Sequence, residues 1–127
     1  MRKLIQNLVI VFIISTVAAS CQYKFMVEPI PPPPPPGDTT SFSLEVVPIW
    51  TEAGCTGCHT SGGTASPDLT SPDIYNILFD MDLVVAEDPA GSKIYYYPLP
   101  DPGHYKEYSS AQALIVQYWI DEGAKNN

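Results

Sequence analysis

The chain has 127 residues, with 14 acidic against 6 basic side chains, 14 prolines and three cysteines. One small domain is the expectation at this length, which excludes an α/β barrel or a two-domain dehydrogenase. A net charge of −8 with no basic patch argues against binding nucleic acid.

The chain opens on Arg2 and Lys3, followed by an unbroken apolar run at residues 8–14 and small residues at 15–20. That order of charge, apolar core and small residues is the pattern of a secretory signal peptide. The apolar stretch covers only residues 8–19, short of the roughly twenty residues that span a bilayer. Residues 1–20 are therefore read as a cleaved address for export. The segment Val17-Ala18-Ala19-Ser20-Cys21 resembles a bacterial lipoprotein box, with Ala18 standing where Leu is commoner. The resemblance implies that Cys21 becomes the first mature residue and carries lipid, anchoring the protein to a membrane and facing the periplasm or the cell surface. A lone thiol is unusual in an oxidising compartment, which favours lipidation over a stray cysteine. Loss of Arg2 and Lys3 leaves four lysines against 14 acidic residues, a charge near −10 that suits a basic partner.

Residues 21–41 read as the lipidated cysteine and a linker. The prolines at 31–36 favour polyproline II, which rises about 3.1 Å per residue and so spans on the order of 20 Å. Its simplest role is a spacer that holds a domain off the membrane. The folded domain is then residues 42–127. A core of that size is marginal and is commonly completed by a disulfide, a metal or a cofactor.

Three helices are predicted in that domain, with little strand signal. The first covers residues 43–53, with Ser41 or Ser43 as cap and Leu44, Val47 and Trp50 as its stripe; Pro48 makes it short, kinked or late-starting. The second begins at Ser71-Pro72-Asp73, a cap followed by proline at the first helical position, and places Ile74, Ile77 and Leu78 on one face. A long loop follows, with four prolines and two glycines between residues 84 and 108. Brief extended pieces are expected there at 83–85 and 94–97. The third helix fills residues 111–122, capped by Ser109 or Ser110 and closed by Gly123. Its expected apolar face is Leu114, Ile115, Tyr118 and Trp119, widened by Ile120. The fold class is all-α.

Cys55-Thr56-Gly57-Cys58-His59 carries the chemistry. C-x-x-C-H is the signature of covalent c-type haem attachment. Thiols three residues apart sit about one helical turn apart and reach the two vinyl groups along one haem edge, while His59 supplies its imidazole to the iron. Three other uses of these residues compete with it. A thioredoxin-like pair wants a βαβ surround; a structural zinc site needs four ligands, here Cys55, Cys58, His59 and His104; an ordinary disulfide needs no further partner. Export agrees with haem, which is attached outside the cytoplasmic membrane in this class.

The stretch Val46-Val47-Pro48-Ile49-Trp50 ahead of the haem motif is similar to the corresponding segment of small monohaem cytochrome c domains in Bacteroidota-like bacterial lipoproteins. So are Asp68-Leu69, Tyr75-x-x-Leu78, Ser92-Lys93-Ile94-Tyr95 and Trp119-Ile120-x-x-Gly123-Ala124, in the family's order and across about residues 44–124. The resemblance implies a compact cytochrome c-like fold of three or more helices around one haem c. It also implies that first and last helices pack together and that the faces of Trp50 and Trp119 meet near the haem.

The distal ligand is where the chain departs from that family. Relatives carry a Met-Pro segment before the last helix; this chain has Gly103-His104-Tyr105-Lys106 there. His104, the second of two histidines, is the candidate distal iron ligand. Met81 is the alternative, though beside Leu83 it reads as core filler, and an open or water-bound iron is the third option. The tyrosines at 95–97, 105 and 108 either bond haem propionates or cover a haem edge. No nucleophile, base and oxyanion set is visible. The expectation is an electron carrier rather than an enzyme, passing single electrons between redox partners. A haem-based ligand sensor or peroxidase-like protein, and a zinc or disulfide structural lipoprotein, are the alternatives.

Overall fold

The computed structural model describes residues 1–3, 5–7, 29, 32–33, 35, 38–100 and 103–127. Cys21 and the apolar run of the expected signal lie outside the described residues. Among the described residues the fold is helical and holds no strand, and no helix is long and apolar enough to cross a membrane.

Ser41 caps the first helical segment, its hydroxyl accepting from the Leu44 amide at 3.3 Å. The opening turn, Phe42–Val46, is π-helical and runs directly into α1, Val47–Glu52. The Val46 amide reaches back five residues to Ser41 at 3.2 Å. A π turn takes in more residues than an α turn, and that shifts which residues face inward. Phe42, Val46, Ile49 and Trp50 are buried, whereas Leu44 is 79% exposed. The expected stripe Leu44–Val47–Trp50 therefore holds fully at Trp50 and in part at Val47, which packs half-buried against the core, and fails at Leu44. Pro48 falls in the first turn of α1, where a missing amide costs nothing.

α2, Ile74–Asp80, starts two residues later than predicted. Asp73 holds the cap position, and the Ser71 hydroxyl accepts from the Asp73 amide at 3.2 Å. Ile74 and Leu78 are buried, but Met81 just beyond the helix is 42% exposed and does not fill the core. The extended piece expected at 94–97 is helical instead: α3 is Lys93–Tyr96. The cause is Ser92, wholly buried at the head of α3. Its hydroxyl accepts from the Val85 amide at 2.8 Å and lies 3.1 Å and 2.8 Å from the carbonyls of Val85 and Asp88. That bracket closes residues 85–92 into a tight loop and leaves the chain turning rather than extended.

α4, Ser110–Asp121, has Ser109 as N-cap with a reciprocal capping box to Gln112. It ends on Gly123 at φ 94°. The Gly123 amide bonds to Ile120 at 3.0 Å and the Ala124 amide to Trp119 at 2.8 Å, a Schellman closure that requires the left-handed residue at this point. The buried positions are Val116, Trp119 and Ile120. Leu114, Ile115 and Tyr118 are only half-buried, so the apolar face is rotated from the predicted one by about one residue.

Phe42 organises the core. Its ring lies 5.0 Å from Trp119, 5.3 Å from Tyr75 and 6.0 Å from Trp50 between centroids. The two tryptophans each pack on this ring, so the segments at the two ends of the domain meet through it. The C-terminal residues clasp the same turn: Asn127 accepts from the Phe42 amide through Oδ1 at 2.9 Å and from the Ser43 amide through its carbonyl at 3.0 Å.

Candidate functional site

The segment after α1 folds as one tight turn, Cys55–Gly57. The Cys55 carbonyl accepts from both the Cys58 amide, at 3.1 Å, and the His59 amide, at 3.0 Å. Two thiols and an imidazole are thus wound around a single carbonyl. Cys55 is buried and Cys58 half-buried, and both are free thiols. Burial pushes the Cys55 thiol up, against the pull of a backbone hydrogen bond and the Lys106 ammonium.

His59 is held from the following loop. Its Nδ1 lies 3.0 Å from the Pro67 carbonyl, and the Leu69 amide returns to the His59 carbonyl at 3.1 Å. Gly63 makes the return possible, because a Cβ there would collide with the Cys58 carbonyl oxygen. His104 is held in the same manner. Its Nδ1 lies 2.8 Å from the Lys106 carbonyl and 3.3 Å from the Lys106 amide. These contacts demand opposite tautomers, and the shorter one assigns the proton to Nδ1. Both imidazoles therefore donate Nδ1–H to a backbone carbonyl and keep the lone pair on Nε2, the arrangement that orients metal-binding histidines.

The structure brings the two rings together across 45 residues of sequence. Their centroids are 6.1 Å apart with planes at 28°. The rings lie stacked; a nitrogen–metal bond of about 2 Å on each ring would give a comparable centre-to-centre distance with one ion held between them.

Both rings line a cavity of about 360 Å³. Its walls are mainly apolar, with Trp50, Leu69, Leu83 and Ile94 among them, and Cys55 opens onto it. Cys58, Met81 and Trp119 are not in the lining, so the expectation that both tryptophans border one site holds for Trp50 alone. Behind the wall, Trp50 Nε1 donates to the Tyr108 hydroxyl at 3.0 Å, which donates to the Ile94 carbonyl at 3.0 Å. Burial raises the Tyr108 hydroxyl above its ordinary value of 10.0. The hydroxyl is spent on this relay and serves as a wall post, not as a group aimed into the cavity.

This donor set fits a haem: two neighbouring imidazoles, apolar walls and a C-x-x-C turn beside His59. It fits a structural zinc site less well. Among the described residues no three His, Cys, Asp or Glu side chains converge on one point, whereas zinc takes four ligands. The carbonyls of Pro67 and Lys106 carried no signal in the sequence, because backbone acceptors have no residue type. Lys93 was named in the sequence only as part of the Ser92-Lys93-Ile94-Tyr95 stretch, with no sign that it would line a cavity. Comparison with known proteins gives no match: no family model, no curated protein and no solved structure is significantly similar to this chain.

Proposed function

We propose that this chain is a membrane-tethered monohaem c-type cytochrome that carries single electrons between redox partners in the periplasm or at the cell surface. The observation that carries the reading is the His59–His104 pair, 6.1 Å apart, beside a C-x-x-C-H turn. Haem, when bound, supplies an iron that cycles between ferric and ferrous. Cys55 and Cys58 would hold it through thioethers, and His59 and His104 would take its two axial positions. The Nδ1–H bonds to Pro67 and Lys106 make both imidazoles stronger donors and fix their orientation. Paired histidines set a lower potential than a His/Met pair. Trp50, Leu69, Leu83 and Ile94 give the site apolar walls, which would lessen the solvent reorganisation that accompanies electron transfer. Lipid on Cys21 would hold the domain at the membrane, and the acidic surface would guide a basic partner to it.

The test is an optical spectrum of the full chain produced with c-haem maturation machinery. A covalent, low-spin haem is expected, with carbon monoxide binding slowly or not at all. His104→Ala should retain the haem and turn the spectrum high-spin. A protein without covalent haem rejects the reading, and rapid carbon monoxide binding by the unaltered protein replaces it with a ligand sensor.

A further inference from the structure

α3 presents two polar groups to the cavity that no part of the axial ligation uses. Lys93 and Tyr97 both line it, and the Tyr97 amide bonds to the Lys93 carbonyl at 3.1 Å. Four residues apart, they share one face of the turn. Lys93 is the one ammonium among the described lining residues, and no carboxylate stands in that lining with it. Of the neighbouring tyrosines, Tyr95 donates to Gln117 at 3.2 Å and Tyr108 to the Ile94 carbonyl, while Tyr96 stands edge-on against Tyr97 at 4.6 Å between centroids. Tyr97 is 48% exposed, which places this pair toward the mouth. The cavity is thus mainly apolar, is lined by two imidazoles, and has one lysine and one half-exposed tyrosine a turn apart in its lining.

We infer that Lys93 and Tyr97 form the carboxylate-binding edge of the site, receiving the anionic propionate side of the haem. The inference rests on the haem reading and names the ligand's orientation within it. An ammonium at an otherwise apolar rim attracts a carboxylate more strongly than one in bulk water, and a tyrosine hydroxyl adds a charge-assisted hydrogen bond. Lys93 and Tyr97 are positioning residues, and Lys93 is also an electrostatic one: reduction adds negative charge to the haem, and a nearby cation favours it.

The experiment uses the full chain matured with haem, comparing Lys93→Gln, Lys93→Arg and Tyr97→Phe with Lys125→Gln, an exposed lysine away from the cavity. Midpoint potential and the resonance Raman propionate bending band are the two readouts. Lys93→Gln should lower the potential more than Lys125→Gln and shift the band. Lys93→Arg should restore both, and Tyr97→Phe should shift the band with a smaller fall in potential. A Lys93→Gln potential equal to that of Lys125→Gln overturns the inference. A fall with an unmoved band overturns it as well, since the charge would then act only at a distance. Failure to attach haem in the unaltered chain is a different outcome, and rejects the cytochrome reading itself.

Discussion

The first helical segment has two neighbourhoods, and they are finished differently. On one side Phe42 meets Trp119 and Tyr75, and every polar atom of that cluster is spent: Trp119 Nε1 donates to the Lys125 carbonyl at 2.8 Å and the Tyr75 hydroxyl to the Ala124 carbonyl at 3.0 Å. On the other side Trp50 borders the cavity, whose lining also holds His59, His104, Lys93 and Cys55. Aromatic packing closes the first side by shape alone. The second is held by backbone carbonyls at Pro67 and Lys106, which aim donors rather than bury them. The clasped side thus carries the aromatic packing, and the open side carries the cavity with its two imidazoles.

The largest effect expected is on the open side. Replacing Cys55 and Cys58 together by serine should abolish covalent haem, read as loss of the haem mass increment and of haem stain on a denaturing gel. Retention of covalent haem would break the assignment of these thiols. On the clasped side, Trp119→Ala should cost about 3–5 kcal/mol, the range for truncating a buried large aromatic. Urea unfolding measures it, and a cost below about 1 kcal/mol would show that the aromatic cluster does not carry the fold.

Tyr108 ties Trp50 to Ile94 in the wall of the cavity, and its loss should be intermediate. Tyr108→Phe leaves the Trp50 N–H and the Ile94 carbonyl without their partner, at about 1–3 kcal/mol. The same hydroxyl gives a pH signature. Its folded value lies above the ordinary 10.0, so the unfolded chain releases the proton first as pH rises. Its contribution to stability is full below pH 10 and is lost progressively above it. Unfolding curves taken across alkaline pH should show that added loss in the unaltered protein and not in Tyr108→Phe. Smallest of all, Ser109→Ala should cost about 1 kcal/mol through the lost cap and leave the haem spectrum unchanged. A change in the spectrum would mean that the clasped and open sides are coupled more tightly than their packing indicates.

Local chemistry was the legible part of the fold. Ser109 and Gly123 mark the ends of α4 because capping and left-handed closure depend on nearby residues alone. The facing of the helices was less legible. In the first segment the π turn at Phe42–Val46 moved the buried stripe off Leu44, and in α4 the core took Val116 in place of Leu114. Neither shift has a local signal, since apolar residues occupy both candidate faces and the partner ring of Phe42 decides between them. Met81, between Asp80 and Asp82, turned outward with both of them. Ser92 was singled out only as the start of the Ser92-Lys93-Ile94-Tyr95 stretch; its role in closing the loop back to Val85 shows only in the fold.

The sequence by itself determined the helical class, the ends of the last helix, and the placing of two thiols and an imidazole within one turn. Each follows from contacts within a few residues. Tertiary structure alone decided that His104 stands 6.1 Å from His59, that both rings turn Nε2 outward from a carbonyl, and that Lys93 and Tyr97 share the rim. Those facts depend on where distant loops return, and loop return is governed by packing around Phe42 and Trp50 rather than by the composition of the loops.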